Sequence, residues 1–195
     1  MIVTTAILLE QLRRYANPTG KLARLVRDGE YYPVVKGLYE TDGDTNGYLL
    51  ASSIYGPSYL SFDFALSYYG LIPEAVRVFT SATFRKRKKK EYDTPFGYFT
   101  YRDIPDSAYP LGIRIIKEGE YTVPIATPEK ALCDKLYTVG PAGSIANMEM
   151  LLFEDLRVDE QAFHDLSLKD LLLLSELYPS TNLKLLKKII GRDLP

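Results

Sequence analysis

The sequence predicts an α+β protein: a short front module of two helices and a hairpin, then a mixed domain with a small antiparallel sheet and a helical C-terminal part. Three observations lead there. The first forty residues change from helical period to paired β-rich runs. Residues 76–126 hold four β-rich runs separated by turn signals. Residues 144–190 are leucine-rich with helical spacing.

Within the front module, TTAILLEQLRRY over 4–15 reads as a helix. Thr4 or Thr5 can cap it, and Ile7, Leu8, Leu12 and Tyr15 share one side. Asn17 caps a second helix, with Pro18 at its first position and Gly29 past its end. Leu22, Leu25 and Val26 form its inward face, and Lys21, Arg24 and Arg27 point the other way at about 100° per residue. Gly20 beside them lets backbone approach a phosphate, at a cost to the helix. EYYPVVKGLYE then gives two β-rich runs around Lys36-Gly37, with Pro33 confined to an edge strand. Helix, basic-faced helix, hairpin is the order of winged helix-turn-helix DNA-binding modules, with Lys36 at the wing tip.

The polar segment TDGDTNG, 41–47, is the expected linker, giving units over 1–41 and 48–195. The second unit opens with Leu49–Ile54 and the aromatic stretch GPSYLSFDFALSYYGLIPE. There Ser61 caps a helix, Asp63 favours its first turn, and Phe62, Ala65, Leu66 and Tyr69 fall on one face. Gly70 ends it in the left-handed conformation and Leu71 packs back on Leu66. Tyr59, Phe64 and Tyr68, off that face, are the aromatics left for a surface. Strands are expected at Val76–Phe84, Gly97–Tyr101, Gly112–Lys117 and Tyr121–Ala126, with a tight turn at Glu118-Gly119. Pro128 to Tyr137 is a helix with proline first and Glu129 in its first turn. Helices then run from Ser144 to Ile190, broken at Pro179.

Composition sets bounds on function. Apolar residues are 46% and charged residues 25% of 195, enough for a sizeable core. Apolar runs stay well short of the roughly 20 residues that cross a bilayer, and MIVTTAILLEQLRR does not read as a secretory signal. One cysteine, Cys133, excludes a disulfide framework and fits a reducing cytoplasm. The net charge of −1 divides unevenly: residues 1–90 carry 13 Lys and Arg against 8 Asp and Glu, and residues 91–195 carry 11 against 17. A basic front half suggests an anionic partner.

Candidate sites follow from that asymmetry. The second helix suits a DNA major groove, with Lys21, Arg24 and Arg27 on phosphates or base edges; a solvated basic face is the alternative. RKRKKK, residues 85–90, reads as an exposed hairpin tip whose Arg85, Lys86 and Arg87 can grip a nucleic-acid backbone, or as a loop that only discourages aggregation. DGDTNG imitates half of a calcium loop, but the twelfth position is Ser53 where a bidentate Glu is needed. His164 and Cys133 make a catalytic pair only if the fold joins them; a buried inert thiol is the plainer reading. Glu154-Asp155 and Asp159-Glu160 read as solvated helix faces. Zinc, nucleotide-loop and metalloprotease motifs are missing from the sequence, so neither cofactor nor catalytic residue is expected.

VVKGLYE, SYLSFDFALSYYGLIPE, IKEGEYTVPIA and ATPEKALCDKLY occur in an order that resembles the AbiEi-like antitoxins of bacterial type IV toxin–antitoxin systems, often labelled predicted transcriptional regulators. The resemblance spans about residues 20–140. It rests on Lys36-Gly37-Leu38-Tyr39, the helix from Ser61 to Leu71, and Pro128-Glu129-Lys130-Ala131-Leu132-Cys133-Asp134. It implies an N-terminal module that binds inverted repeats of double-stranded DNA in its own promoter and represses it. It also implies a C-terminal domain that counteracts a nucleotidyltransferase-like toxin without a stable complex. Carried to this chain, the DNA contacts would be Lys21, Arg24, Arg27 and Lys36. One departure stands out: winged modules usually have three helices before the wing, and only two fit ahead of Tyr31. Residues 1–41 carry a net of only +2, so the alternative is a protein-interaction module whose vestigial winged helix leaves DNA alone.

Overall fold

The computed structural model describes residues 1–191; the last four of the expected second unit, 192–195, lie outside them. It is an α+β structure with, among the described residues, nine α-helices, a three-stranded antiparallel sheet and a six-stranded mixed sheet.

The front module begins with a strand that the helical reading of 4–15 passed over. β1 (Ile2–Thr4) leads into α1 (Thr5–Gln11), whose N-cap is Thr4. Three β-favouring residues before a cap are too short to stand out as periodicity, and the helix stops at Gln11 instead of reaching Tyr15. Leu8 is buried, whereas Ile7 is 51% exposed, so Ile7 does not share the inward side. α2 (Pro18–Arg27) starts at Asn17, whose side chain accepts the Gly20 amide at 2.9 Å. It ends with Gly29 at φ +76° and the Glu30 amide donating to the Leu25 carbonyl, the bond that closes a Schellman ending. β2 (Tyr32–Val35) and β3 (Leu38–Glu40) form the expected hairpin around Lys36-Gly37. The strand order is β1-β3-β2, which leaves Pro33 on an edge.

This module has its own small core, Val3, Leu8 and Leu22, with Leu12, Val26 and Tyr39 around it. Val34 and Leu38 instead join the large core of the rest of the chain, so the hairpin lies between the two.

After the polar segment, a 3-10 turn (Gly47–Leu50) runs into α3 (Ala51–Ile54), then β4 (Tyr59–Leu60), α4 (Phe62–Tyr68), β5 (Val78–Thr83), β6 (Lys90–Thr94), β7 (Gly97–Asp103), β8 (Ile113–Glu118) and β9 (Tyr121–Ala126). The sheet order is β6-β7-β5-β4-β9-β8, with β5–β7 and β4–β9 parallel and the remaining neighbours antiparallel. The expected small antiparallel sheet is therefore a larger mixed one. β4 has two residues, below any alternation signal, and β6 (KEYDT) is mostly polar because it forms a sheet edge. The β8–β9 turn is Gly119-Glu120, one residue later than expected, since Glu118 pairs with Tyr121.

Paired residues share a sheet face. Tyr59 pairs with Ala82, which pairs with Arg102, so these three lie on the face covered by α5 (Pro128–Thr138). Tyr101 lies on the opposite face, where its hydroxyl donates to the Ala51 carbonyl at 2.7 Å. α6 (Ile145–Met150), a π-helical turn (Leu151–Asp155), α7 (Glu160–His164), α8 (Leu168–Ser175) and α9 (Thr181–Ile190) complete the C-terminal part, with the break at Pro179 as read.

Candidate nucleic-acid interface

α1 and α2 are joined by residues 12–17, and α2 turns its buried face, Leu22 and Leu25, inward. Arg24 and Arg27 stand exposed in its last turn, and among the described residues no carboxylate pairs with either. Their position at the helix C-terminus also favours cations through the helix dipole. Lys21 is half-buried, with its ammonium 5.6 Å from the centre of the exposed Tyr15 ring. Lys36 is exposed at the β2–β3 turn. Gly37 there has φ +90°, and its carbonyl accepts the Thr5 amide at 3.0 Å, which pins the turn against the start of α1. The β2–β3 connection is therefore a tight two-residue turn.

Gly20 has a different role from the one its neighbours suggest. A Cβ there would lie 2.7 Å from the Asn17 carboxamide nitrogen, so the glycine makes room for the capping side chain.

The run from Arg85 to Lys90 is not a hairpin tip. β5 and β7 are parallel neighbours, and the loop carries the chain from β5 across the end of β7 to the edge strand β6, which Lys90 begins. Its cations are divided. Arg85 is ion-paired with Asp106. Lys86 donates to the Gly56 carbonyl at 3.0 Å and sits over the Tyr55 ring. The Arg87 amide donates to Asp103 at 2.6 Å while its side chain stays exposed with Lys88 and Lys89. Arg85 and Arg87 both take left-handed backbone, φ +56°. Among the described residues, no hydrogen bond, ion pair or ring contact links this loop to α2 or Lys36, so the structure does not join the two basic groups.

The segment PEKALCD forms a buried polar cluster. Lys130 and Asp134, one turn apart on α5, are fully buried. Asp134 accepts from Tyr59 at 2.9 Å, Ser61 at 2.7 Å and Tyr178 at 2.6 Å, and Lys130 donates to the Ala108 carbonyl at 2.6 Å and to Tyr178. Two expectations change here. The Ser61 hydroxyl serves Asp134 and does not cap α4, and Tyr59, at 1% exposure, is no surface aromatic. Of the other two, Tyr68 is half-exposed and Phe64 half-buried against it. Burial pushes the Tyr59 and Tyr178 hydroxyls far up, with the Asp134 carboxylate adding to it, and pulls the Lys130 ammonium down.

Cys133 is fully buried in α5 and burial raises its thiol. His164 ends α7 against the Phe163 ring, and among the described residues no interaction joins it to Cys133. Asp159 caps α7 through the Ala162 amide at 2.8 Å. Asp42 accepts the Asp44 amide at 3.0 Å, a local turn contact. Among the described residues, no group of three or more His, Cys, Asp or Glu is placed to hold a metal, and no helix is long and apolar enough to cross a membrane.

Sequence reasoning missed Arg102 and Lys135, which the fold brings to the same groove as Arg87, Lys88 and Lys89. Each is a single cation inside a regular element, so only the strand register and helix packing could reveal the grouping. No protein-family model matches the chain, and no curated protein sequence matches it significantly.

Proposed function

We propose that the chain is a DNA-binding transcriptional autorepressor and an antitoxin that counteracts a nucleotidyltransferase-like toxin. The observation that carries the DNA half is the exposed pair Arg24 and Arg27, without a carboxylate partner among the described residues, on the second of two helices joined by residues 12–17. That helix is followed by a hairpin that carries the exposed Lys36 in a turn held to α1 through the Gly37 carbonyl. The β1-β3-β2 order supports reading residues 1–41 as a reduced winged module, in which α2 enters the major groove and the wing meets phosphate. The antitoxin half rests on the order of motifs described above; the buried Lys130–Asp134 cluster gives one of those motifs a packing reason and no catalytic one.

The shortness of the wing favours a second reading, a protein-interaction module that leaves DNA alone. A titration of the chain's own upstream DNA separates the two. Repression requires a saturable complex that weakens with salt and with Arg24→Ala; a stable protein partner in pull-down with no DNA complex at low salt favours the second.

A further inference from the structure

Away from α2, a second group of cations surrounds a groove on the helix-covered face of the large sheet. Two adjoining cavities make it. The outer one, of about 310 Å³, is lined by Arg87, Lys88, Lys89, Arg102, Asp103 and Thr138. The inner one, of about 40 Å³ and more enclosed, lies among Thr80, Thr100, Arg102, Lys135 and Thr138, with Phe62 and Asp63 at its side. Arg102 and Thr138 belong to both.

The elements explain the grouping. Thr80 pairs with Thr100 and Ala82 with Arg102, so the β5–β7 pair supplies the floor. The C-terminal turn of α5 brings Lys135 and Thr138 over it, and the β5–β6 loop closes the outer end. Five cations face two carboxylates, and both carboxylates are engaged. Asp63 pairs with Lys135 at 2.5 Å, and Asp103 accepts from the Thr83 hydroxyl and the Arg87 amide, each at 2.6 Å. Among the described residues, Lys88, Lys89 and Arg102 have no carboxylate partner. Phe62, at the inner cavity, and Arg87, at the outer one, are both held in left-handed backbone, φ +54° and +56°. Such conformations concentrate where a fold fixes a binding geometry.

We propose that this groove binds the phosphates of a compact ligand carrying a di- or triphosphate, of which a nucleotide is the commonest kind. The net charge of +3 around it exceeds the roughly −2 of one phosphate monoester at neutral pH. The outer cavity falls at the lower end of the roughly 300–1,000 Å³ typical of ligand pockets. Arg102, between the two cavities, offers the planar fork that suits phosphate oxygens. A duplex backbone would need only the outer row of cations; the enclosed inner end suits a terminal phosphate. The proposal does not depend on α2 binding DNA.

The experiment is calorimetric titration of the full chain with inorganic pyrophosphate and, separately, ATP, at physiological salt, with upstream DNA titrated in parallel. Saturable binding of pyrophosphate is expected, weakened about tenfold or more by Arg102→Ala and unaffected by Arg24→Ala. Arg102 is exposed, so thermal melting should confirm that this variant folds; Lys88→Ala/Lys89→Ala provides a second variant with the same expected direction. Failure of pyrophosphate to saturate at millimolar concentration would overturn the proposal, whatever ATP does. Equal weakening by Arg24→Ala would also overturn it, showing diffuse attraction. If Arg102→Ala abolishes DNA binding and pyrophosphate does not bind, the groove is a DNA track instead.

Discussion

Lys130 and Asp134, one turn apart on α5 and both fully buried, lie 3.4 Å apart at their charged atoms. Three hydroxyls complete the carboxylate: Tyr59 and Ser61 from around β4, and Tyr178 from beyond α8. The pair thus ties the central helix to the sheet and to the C-terminal helices. Removing one partner leaves a buried charge uncompensated, which typically costs about 3–5 kcal/mol. Asp134→Ala is therefore expected to lower the midpoint of chemical denaturation strongly, and Lys130→Ala/Asp134→Ala to cost less than the two single losses added. Additive losses in that double-mutant cycle would show that the two charges do not depend on each other.

Alkaline pH offers an independent check on the same cluster and on Tyr101 across the sheet. The Tyr59, Tyr101 and Tyr178 hydroxyls are raised, chiefly by burial, so the folded chain keeps protons that the unfolded chain releases near pH 10. Above that pH the unfolded state binds fewer protons, and stability falls as pH rises. The contribution is complete below about pH 10, and each such tyrosine then adds a slope of about 1.4 kcal/mol per pH unit. Lys130, whose ammonium is lowered, acts in the opposite sense until it has lost its proton in both states, above about pH 10.5. Denaturation midpoints should show the decline above that pH, and Tyr178→Phe should make it shallower. An unchanged slope in that variant would mean that Tyr178 ionises freely in the folded protein.

Gly20 and Asn17 make a smaller, sharper pair. Asn17→Ala should cost about 1 kcal/mol through the lost cap. Gly20→Ala, which places a Cβ 2.7 Å from the Asn17 side chain, should gain little or lose stability alone. In the Asn17→Ala background it should stabilise by up to about 1 kcal/mol, the ordinary helix preference for alanine. The same gain in both backgrounds would mean the glycine is not there for the cap.

Much of the fold could be read from the sequence where signals are local. Asn17, Pro18 and Gly29 bounded α2, Lys36-Gly37 marked the hairpin, and Gly70 with Leu71 ended α4, the Leu71 amide donating to the Leu66 carbonyl at 2.8 Å. What escaped is non-local. β1 and β4 are too short to announce themselves, and they exist because partners wait for them in the sheets. The parallel β5–β7 pairing turned an apparent hairpin tip into a crossover loop, which regrouped its lysines with Arg102 and Lys135. Ser61 had the position of a cap, and only the approach of α5 shows its hydroxyl turned to Asp134. The exposed cations of α2 and the β2–β3 turn were all visible; the groove was not.

The most direct test of the central reading is the salt dependence of binding to the chain's own upstream DNA, measured by fluorescence anisotropy for the native chain, Arg24→Ala and Arg24→Ala/Arg27→Ala. A plot of log affinity against log salt should be steep and linear for the native chain. Each arginine that meets a phosphate should reduce the slope by about 0.9 when removed. Both are exposed, so the variants should melt like the native protein. Unchanged affinity and slope in the double variant would contradict the assignment of α2 as the DNA-reading helix.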